Sequence, residues 1–278
     1  MNFKGGGPEN IDDLSRAICS SIDIKWTGVA AQIGEKNRVL DNNSALITKE
    51  MAEMGLLSCV LKGQGTALLY PYPEYRQCGD IDLWIHGNHR NLVRQLSKKW
   101  TIGSVHYHHA DVKAFDDKTK LEVHFKPSWL NDPFGNRHLL QEGIGLRQLM
   151  DYYFVLVNCT ATERRNAYAF AEKLGMKRFV RAMMYVLQRV FLMEDELLLC
   201  PPDEKSGEFL LNEIMIAGNF GLFDKRNKYR VSQTLPLRAT YRMLHLSRFF
   251  HIASSEVLWA PFFKTYQFVW RRLNGYNK

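Results

Sequence analysis

The chain has 278 residues, of which 46% are hydrophobic and 24% are charged, and this balance excludes an intrinsically disordered protein. Its formal charge of +8 favours anionic partners such as nucleotides, nucleic acid or anionic lipid. The five cysteines have no metal-ligand spacing, which predicts reduced thiols in a cytoplasmic protein. Since no apolar signal core or bilayer-length run is visible, we expect neither a signal peptide nor a transmembrane segment.

The first predicted elements are a long helical stretch, a strand and a short helix. Residues 10–56 have helix formers at helical spacing, with Gly55 near their end. The run 57-LSCVLKG-63 predicts a short buried strand that ends at a glycine. The following 64-QGTALLY-70 predicts a short helix, which the prolines of 71-PYPEYR-76 stop.

Strands and one further helix follow in the middle of the chain. The run 76-RQCGDIDLWI-85 predicts a second strand, and 88-NHRNLVRQLSKKW-100 predicts a helix capped by Asn88. Two more predicted strands, 105-VHYHHADVKAF-115 and 121-LEVHFKP-127, are joined by a polar hairpin turn. This order of strands and helices predicts an α/β-type core with a small mixed sheet.

Beyond residue 137 the sequence predicts helices only. Apolar stripes at helical spacing recur in four segments, at 138–159, 163–193, 206–222 and 236–275. The predicted fold class is therefore α+β, in which the α/β-type core is followed by a large C-terminal all-helical region.

Paired carboxylates are the main chemical signal in the sequence. Asp80 and Asp82 lie two residues apart in a predicted strand, so their side chains point to the same face. Two carboxylates this close repel each other unless a divalent metal ion or a basic side chain lies between them. Glu122 and His124 share one face of a later strand, and Gly79 allows a close backbone approach beside the aspartates.

A glycine-containing turn precedes these carboxylates. The stretch 60-VLKGQGTAL-68 runs from a strand into a helix through two glycines and a threonine. Such a turn points backbone N–H groups at an anion such as a nucleotide phosphate, although an ordinary strand-to-helix turn is the alternative. Together with carboxylates on neighbouring strands, the turn suits two-metal phosphoryl or nucleotidyl transfer.

The motifs LKG, R-x-x-GDIDLWI and E-x-H together resemble the polymerase-β-type nucleotidyltransferase superfamily, and within it a poorly characterised bacterial family. The close resemblance spans roughly residues 57–126, and a looser one covers 146–153 and 256–273. Two departures from the superfamily pattern are visible. The glycine pair is split by Gln64, and fourteen residues separate Gly65 from Asp80, slightly more than usual.

The resemblance implies roles for individual residues. Asp80, Asp82 and Glu122 would hold two Mg²⁺ ions, which Mn²⁺ could replace, and Glu122 would also act as a base toward an acceptor hydroxyl. The residues expected to contact the nucleotide or line the cleft are Lys62, Gly63, Gln64, Gly65, Thr66, Arg76, His124, Arg147 and Asp151.

Structural roles stay open for several of these side chains. Arg76 could pair with Asp80, and Glu122 could be a solvated strand position beside Lys113 or Lys120. Lys62 could be an exposed strand end.

The remaining candidates are a helix pair and the histidines. Arg147 and Asp151 could form an ion pair one helical turn apart. His124 could orient Glu122, contact substrate or fill the interior. Neighbouring His108 and His109 point to opposite faces without a third spaced ligand, so no zinc site is expected there.

The C-terminal region is strongly basic. Residues 225–278 contain eleven lysines and arginines, interleaved with aromatic residues, and Glu256 is their only acid. Such a pattern can bind RNA, but aromatic residues at helical spacing more often form a core with solvated arginines around it. Weak contact with an anionic lipid surface is the third interpretation.

These features lead to a predicted function. The resemblance implies transfer of a nucleoside monophosphate from an NTP to a hydroxyl with release of pyrophosphate, ATP being the favoured donor. The acceptor would be tRNA or another RNA, a protein or a small molecule; a non-catalytic nucleotide-binding or RNA-binding or partner-binding module is the alternative. The expected parts are an N-terminal helical segment, a catalytic core and a helical acceptor-binding region, at 1–56, 57–130 and 131–278.

Overall fold

The computed structural model describes residues 11–116, 119–126, 145–217, 224–227 and 234–276, and shows an α+β architecture. A five-stranded sheet lies in the first half of the chain, and the described residues from Gly145 onward form helices and turns. The predicted fold class is therefore confirmed. None of the helices within these ranges is long and apolar enough to span a membrane.

The sheet is small and mixed, as predicted. Its strands follow the spatial order β1-β2-β5-β4-β3, and the β2–β5 pair is parallel while the other pairs are antiparallel. The strands are β1 (Ser58–Leu61), β2 (Ile81–Ile85), β3 (Thr101–Val105), β4 (His109–Lys113) and β5 (Leu121–His124).

Helices surround the sheet and fill the second half of the chain. The helices are α1 (Ile11–Glu53), α2 (Gly63–Ala67), α3 (His89–Leu96), α4 (Leu146–Asn158), α5 (Ala161–Lys173), α6 (Lys177–Phe191), α7 (Glu204–Ala217), α8 (Leu235–Arg248) and α9 (Ser254–Leu273). Short 3₁₀ turns lie at Pro73–Tyr75, Asp195–Leu197 and Lys225–Asn227. The predicted cap of α3 is confirmed, because Asn88 accepts a hydrogen bond from the Arg90 N–H.

Two predicted boundaries are wrong. The strand predicted over 105–115 is observed only as β4, because Val105 ends the separate strand β3 and the chain reverses after it, where the His106 N–H donates to the carbonyl of His109 at 2.8 Å. The stripe over 163–193 is two helices, which meet at Gly175 in the left-handed conformation (φ +69°). The first part of the helix predicted over 138–159, residues 138–144, lies outside the described residues.

Alternation along the strands divides the sheet into an apolar and a polar face. Ile81, Leu83 and Val123 are fully buried on the apolar face, in one cluster with Ile47 of α1 and Leu92 of α3. The second half of α1 thus belongs to the core of the sheet. Because its apolar face is covered, the sheet leaves its other face for polar chemistry.

The C-terminal helix returns to the sheet. Trp270 packs against the core of the sheet, and the Asn274 side chain accepts one hydrogen bond from Arg90 and lies 3.2 Å from the His89 ring nitrogen Nε2. Tyr107 makes edge-on ring contacts with Trp270 at 5.4 Å. Part of the aromatic C-terminal region is therefore core, while α9 also exposes Phe262.

Candidate active site

A row of three carboxylates crosses the polar face of the sheet. Asp82 of β2 lies opposite Glu122 of β5, and Glu122 lies opposite Asp111 of β4. A second row lies two residues away along each strand. It contains Trp84 of β2, His124 of β5 and His109 of β4. Residues in register on neighbouring strands have their side chains on the same face, so both rows share one surface.

Asp82 is the most enclosed of these carboxylates, with 8% of its surface exposed. The ring nitrogen Nε2 of His124 lies 2.7 Å from its Oδ1, and the Lys62 ammonium lies 3.7 Å from the same oxygen. His124 Nε2 is 3.8 Å from Glu122 Oε2, so the histidine is closer to Asp82 than to Glu122, the acid that one of the open alternatives had it orient. A buried carboxylate is thus held between an imidazole and an ammonium group.

Asp80 lies one residue before β2 and is half-buried. Burial, together with the negative charges of Asp82 and Glu122, raises the pKa of Asp80 above its usual range. The carboxylates therefore repel each other in the absence of a cation, as expected from their spacing.

In the part of the chain that the structure describes, two groups of side chains have the composition of a metal site. The first contains Asp82, Glu122 and His124, the second contains His109, Asp111 and Glu122, and in each the ligand atoms lie within 4.8 Å of one another. Carboxylate oxygens and imidazole nitrogens are ordinary ligands of divalent ions, so the donor chemistry fits. Glu122 belongs to both groups, whereas Asp80 belongs to neither.

The second group was missed by sequence reasoning. No third ligand near His109 is recognisable from spacing, because Asp111 and Glu122 come from different strands. The signal lay in the predicted hairpin, where H-x-D on one strand faces E-x-H on the other in the register that the structure adopts. Burial lowers the pKa of His109 to about 4, against the opposing charge of Glu122, so the ring is neutral at physiological pH.

Lys120 supplies positive charge beside these acids. Its ammonium group forms an ion pair with Glu122 and lies 3.9 Å from Asp111 Oδ1. The contact with Lys120 that the alternative expected is present, but the Glu122 side chain is only 15% exposed and is therefore not a solvated strand position. The Lys120 side chain is 58% exposed, so it is free to move away from the two carboxylates.

The predicted glycine turn is a tight connection into α2. Lys62 and Gly63 both have left-handed φ angles, of 46° and 26°. A Cβ atom at Gly65 would lie 2.9 Å from the carbonyl oxygen of Val60, so only glycine fits there. The first N–H groups of a helix have no partner within it, and here they belong to Gly63, Gln64 and Gly65.

Two further features of this turn bear on anion binding. The Thr66 N–H donates to the Lys62 carbonyl, so it is already used within the turn. Both polar atoms of the Gln64 side chain are buried and, among the described residues, find no hydrogen-bond partner. Buried polar groups are nearly always paired, so this amide marks a place where a ligand or water would complete the contacts.

Arg76 connects the turn to the helical half of the chain. It donates to both carboxylate oxygens of Asp151 on α4, at 2.7 and 2.6 Å, and to the carbonyl oxygen of Gly63 at 2.9 Å. Tyr70 donates to the same carboxylate. Arg76 thus pairs with Asp151. The sequence had left open a pairing of Arg76 with Asp80.

The other predicted cleft residue of α4, Arg147, donates to the carbonyl oxygen of Gln77 at 3.1 Å. Arg147 and Asp151 therefore both hold the segment between α2 and β2. Direct contact of these side chains with a nucleotide stays a prediction.

Residues 9–140 match the model of a family described as an uncharacterised nucleotidyltransferase. The matched stretch is just under half of the chain and includes all five strands and the glycine turn. It supports the nucleotidyltransferase superfamily. No curated protein and no solved structure matches the chain.

Proposed function

We propose that the protein is a Mg²⁺-dependent nucleotidyltransferase that moves a nucleoside monophosphate, with AMP favoured, from an NTP to an acceptor hydroxyl. The family match supports nucleotidyl transfer in general terms. The observation that carries the proposal is the pairing of Asp82 with Glu122 on neighbouring strands, beside a glycine turn that contacts the start of β2. Had Glu122 pointed away from Asp82, a nucleotide-binding module would have been the better proposal.

Three carboxylates would hold the metal ions, namely Asp80, Asp82 and Glu122. Bound Mg²⁺ would neutralise charge on the phosphates and polarise them. The His124 ring would keep Asp82 oriented, since its Nε2 lies 2.7 Å from that carboxylate. Asp80 would become favourably ionised when a cation offsets the repulsion that raises its pKa.

The glycine turn would bind the triphosphate. The N–H groups in the first turn of a helix favour anions, and the Lys62 ammonium adds positive charge next to Asp82. The hydrogen bond from Arg76 to the Gly63 carbonyl would hold the turn in place during binding.

The reaction is a single displacement at the α-phosphorus. The acceptor oxygen forms a bond to this phosphorus, the bond to the bridging oxygen of the β-phosphate breaks, and pyrophosphate leaves. Glu122 would accept the hydroxyl proton, because it lies opposite Asp82 in the carboxylate row and its side chain is slightly more exposed, at 15% against 10%.

The helical half would form the other wall of the cleft and select the acceptor. Arg147 and Asp151 of α4 contact the segment between α2 and β2 that leads to the aspartates, so this helix lies beside the proposed nucleotide site. RNA, protein and small-molecule hydroxyls are the acceptor classes to compare.

The test is transfer of label from NTPs carrying ³²P at the α or the γ position. Purified protein with Mg²⁺ would be offered tRNA, total RNA, protein extract and a panel of hydroxyl compounds, with pyrophosphate release measured in parallel. We expect α-label transfer, and a loss of at least about a hundredfold in Asp82→Asn. Asp23→Asn, at an exposed position of α1, is the matched control and should retain activity.

Each result decides between the proposal and an alternative. Transfer of γ-label would show a kinase. Nucleotide binding that is equal in wild type and Asp82→Asn, without any transfer, would favour the non-catalytic module and overturn the proposal.

A further inference from the structure

Strands β4 and β5 carry a symmetrical set of metal-ligating side chains. His109 lies opposite His124, and Asp111 lies opposite Glu122, so two histidines and two carboxylates occupy adjacent positions on one face. The rings of His109 and His124 are 5.6 Å apart between centroids. Two of these four side chains, His109 and Asp111, have no part in the proposed nucleotidyl transfer.

The distances suit a shared ion. His109 Nε2 is 3.9 Å from Glu122 Oε2, and the ligand atoms of His109, Asp111 and Glu122 all lie within 4.8 Å of one another. Two ligands bound to one ion at about 2.1 Å each can be no more than about 4.2 Å apart, so small side-chain movements would suffice. The His109 and Glu122 side chains are each only 15% exposed, whereas Asp111 is 34% exposed and leaves an entry path.

The ring nitrogen of His109 that faces this cluster is Nε2, which lies 3.9 Å from Glu122 Oε2. The other ring nitrogen, Nδ1, is buried and, within the described part of the chain, has no hydrogen-bond partner. Histidines that bind a metal ion usually donate the second ring N–H to a protein group or to water, and a buried water would serve that role at Nδ1.

We propose that His109, Asp111 and Glu122 bind one first-row transition-metal ion of the Mn²⁺, Co²⁺ or Zn²⁺ class. One imidazole and two carboxylates suit these ions, whereas Mg²⁺ prefers oxygen ligands and keeps several of its waters. The site shares Glu122 with the proposed active site, but its metal binding can be measured without nucleotide or acceptor. It would place a second kind of metal ion beside the proposed Mg²⁺ position.

Lys120 is the competing occupant of this site. Its ammonium group contacts Glu122 and lies near Asp111, where the metal ion would bind, and it would have to move aside. Removing this competing charge should strengthen metal binding. If the contact of Lys120 with Glu122 is only a structural ion pair, neither the wild type nor a variant without the Lys120 charge should bind a metal ion specifically.

The experiment titrates Co²⁺ into EDTA-stripped full-length protein and follows visible d–d absorption, with excess Mg²⁺ present to occupy oxygen-only sites. We expect one Co²⁺ ion per chain, which Zn²⁺ displaces. His109→Ala and Asp111→Asn should each weaken the binding at least about tenfold. Lys120→Ala should tighten it about fivefold, as expected for a unit charge removed about 4 Å away.

His86→Ala is the matched control, because His86 is exposed beyond the end of β2 and belongs to neither metal-ligating group. Circular dichroism would establish that each variant is folded, and His109→Gln would replace His109→Ala if the alanine variant unfolds. Absence of a Co²⁺ signal in the wild type, or equal affinities in wild type and both ligand variants, would overturn the proposal. Co²⁺ binding without any nucleotide transfer would leave this site intact and refute only the proposed function.

Discussion

Arg76 and Asp151 form a two-contact ion pair across 75 residues of sequence, with Nε and Nη2 at 2.7 and 2.6 Å from the two carboxylate oxygens. Bidentate pairs of this kind fix orientation as well as charge. Because the third guanidinium nitrogen binds the Gly63 carbonyl, helix α4 determines the position of the glycine turn. The helical half of the protein is thus coupled to the proposed phosphate site.

Asp151→Asn should destabilise the protein by roughly 3 kcal/mol, because it leaves the enclosed Arg76 guanidinium without its charged partner. Chemical unfolding in urea measures this difference. Glu53→Gln is the control, since the Glu53–Lys49 pair is exposed and contributes at most about 0.5 kcal/mol. Equal unfolding midpoints for the two variants would contradict a supporting role for Asp151.

Gly65→Ala should destabilise the turn by about 1–3 kcal/mol and weaken nucleotide binding. The added Cβ would lie 2.9 Å from the Val60 carbonyl oxygen, which is backbone and cannot rotate away. Gly28→Ala on α1 is the matched control, because a Cβ at the exposed Gly28 meets nothing within 4 Å. Thermal unfolding and nucleotide titration would compare the two variants, and a stable Gly65→Ala that binds nucleotide like Gly28→Ala would count against the close approach.

Asp80→Asn should stabilise the metal-free protein at neutral pH. Burial and the charges of Asp82 and Glu122 raise the pKa of Asp80 in the fold, so its ionised form opposes folding once the pH exceeds that raised pKa. Below the pKa of the unfolded chain this penalty is absent. The melting temperature of Asp80→Asn should therefore exceed that of the wild type at pH 7, with a gap that closes as the pH falls.

Mg²⁺ should reverse the order of the two proteins at neutral pH, because it binds the ionised carboxylate and stabilises the folded wild type. Melting curves with Mg²⁺ and with EDTA give the comparison. A variant that is less stable than the wild type in EDTA would show that Asp80 makes a favourable structural contact.

Local patterns were enough to predict the core of the candidate site. Strand alternation places Asp82 and Glu122 on a polar face, and the glycine turn follows from its own sequence. Asp111 could not be recognised alone, because its role depends on which strands pair. Asp151 was placed in the cleft through a family resemblance, but its contact with Arg76 depends on how α4 packs, which no local spacing encodes.

Dependence on long-range pairing also explains why strand β3 was not predicted. The run Thr101–Val105 contains a glycine and two hydroxyl residues, which give it a weak strand signal, and its pairing with β4 compensates. Gly103 lies close to Asp111, where an added Cβ would be 3.2 Å from that side chain's own Cβ. Long-range pairing thus gives this glycine a role that composition does not reveal.

His124→Ala should raise the Mg²⁺ concentration needed for half-maximal activity by about 10–100-fold, the usual effect of losing a group that orients a metal ligand. The reason is the 2.7 Å contact between His124 Nε2 and Asp82 Oδ1, which holds a buried carboxylate in one orientation. His124→Gln can still donate from its amide and should recover part of the Mg²⁺ affinity. His86→Ala, whose ring is exposed, should leave the Mg²⁺ dependence unchanged. Loss of kcat in His124→Ala without any change in Mg²⁺ dependence would instead indicate that the histidine contacts the reacting groups directly.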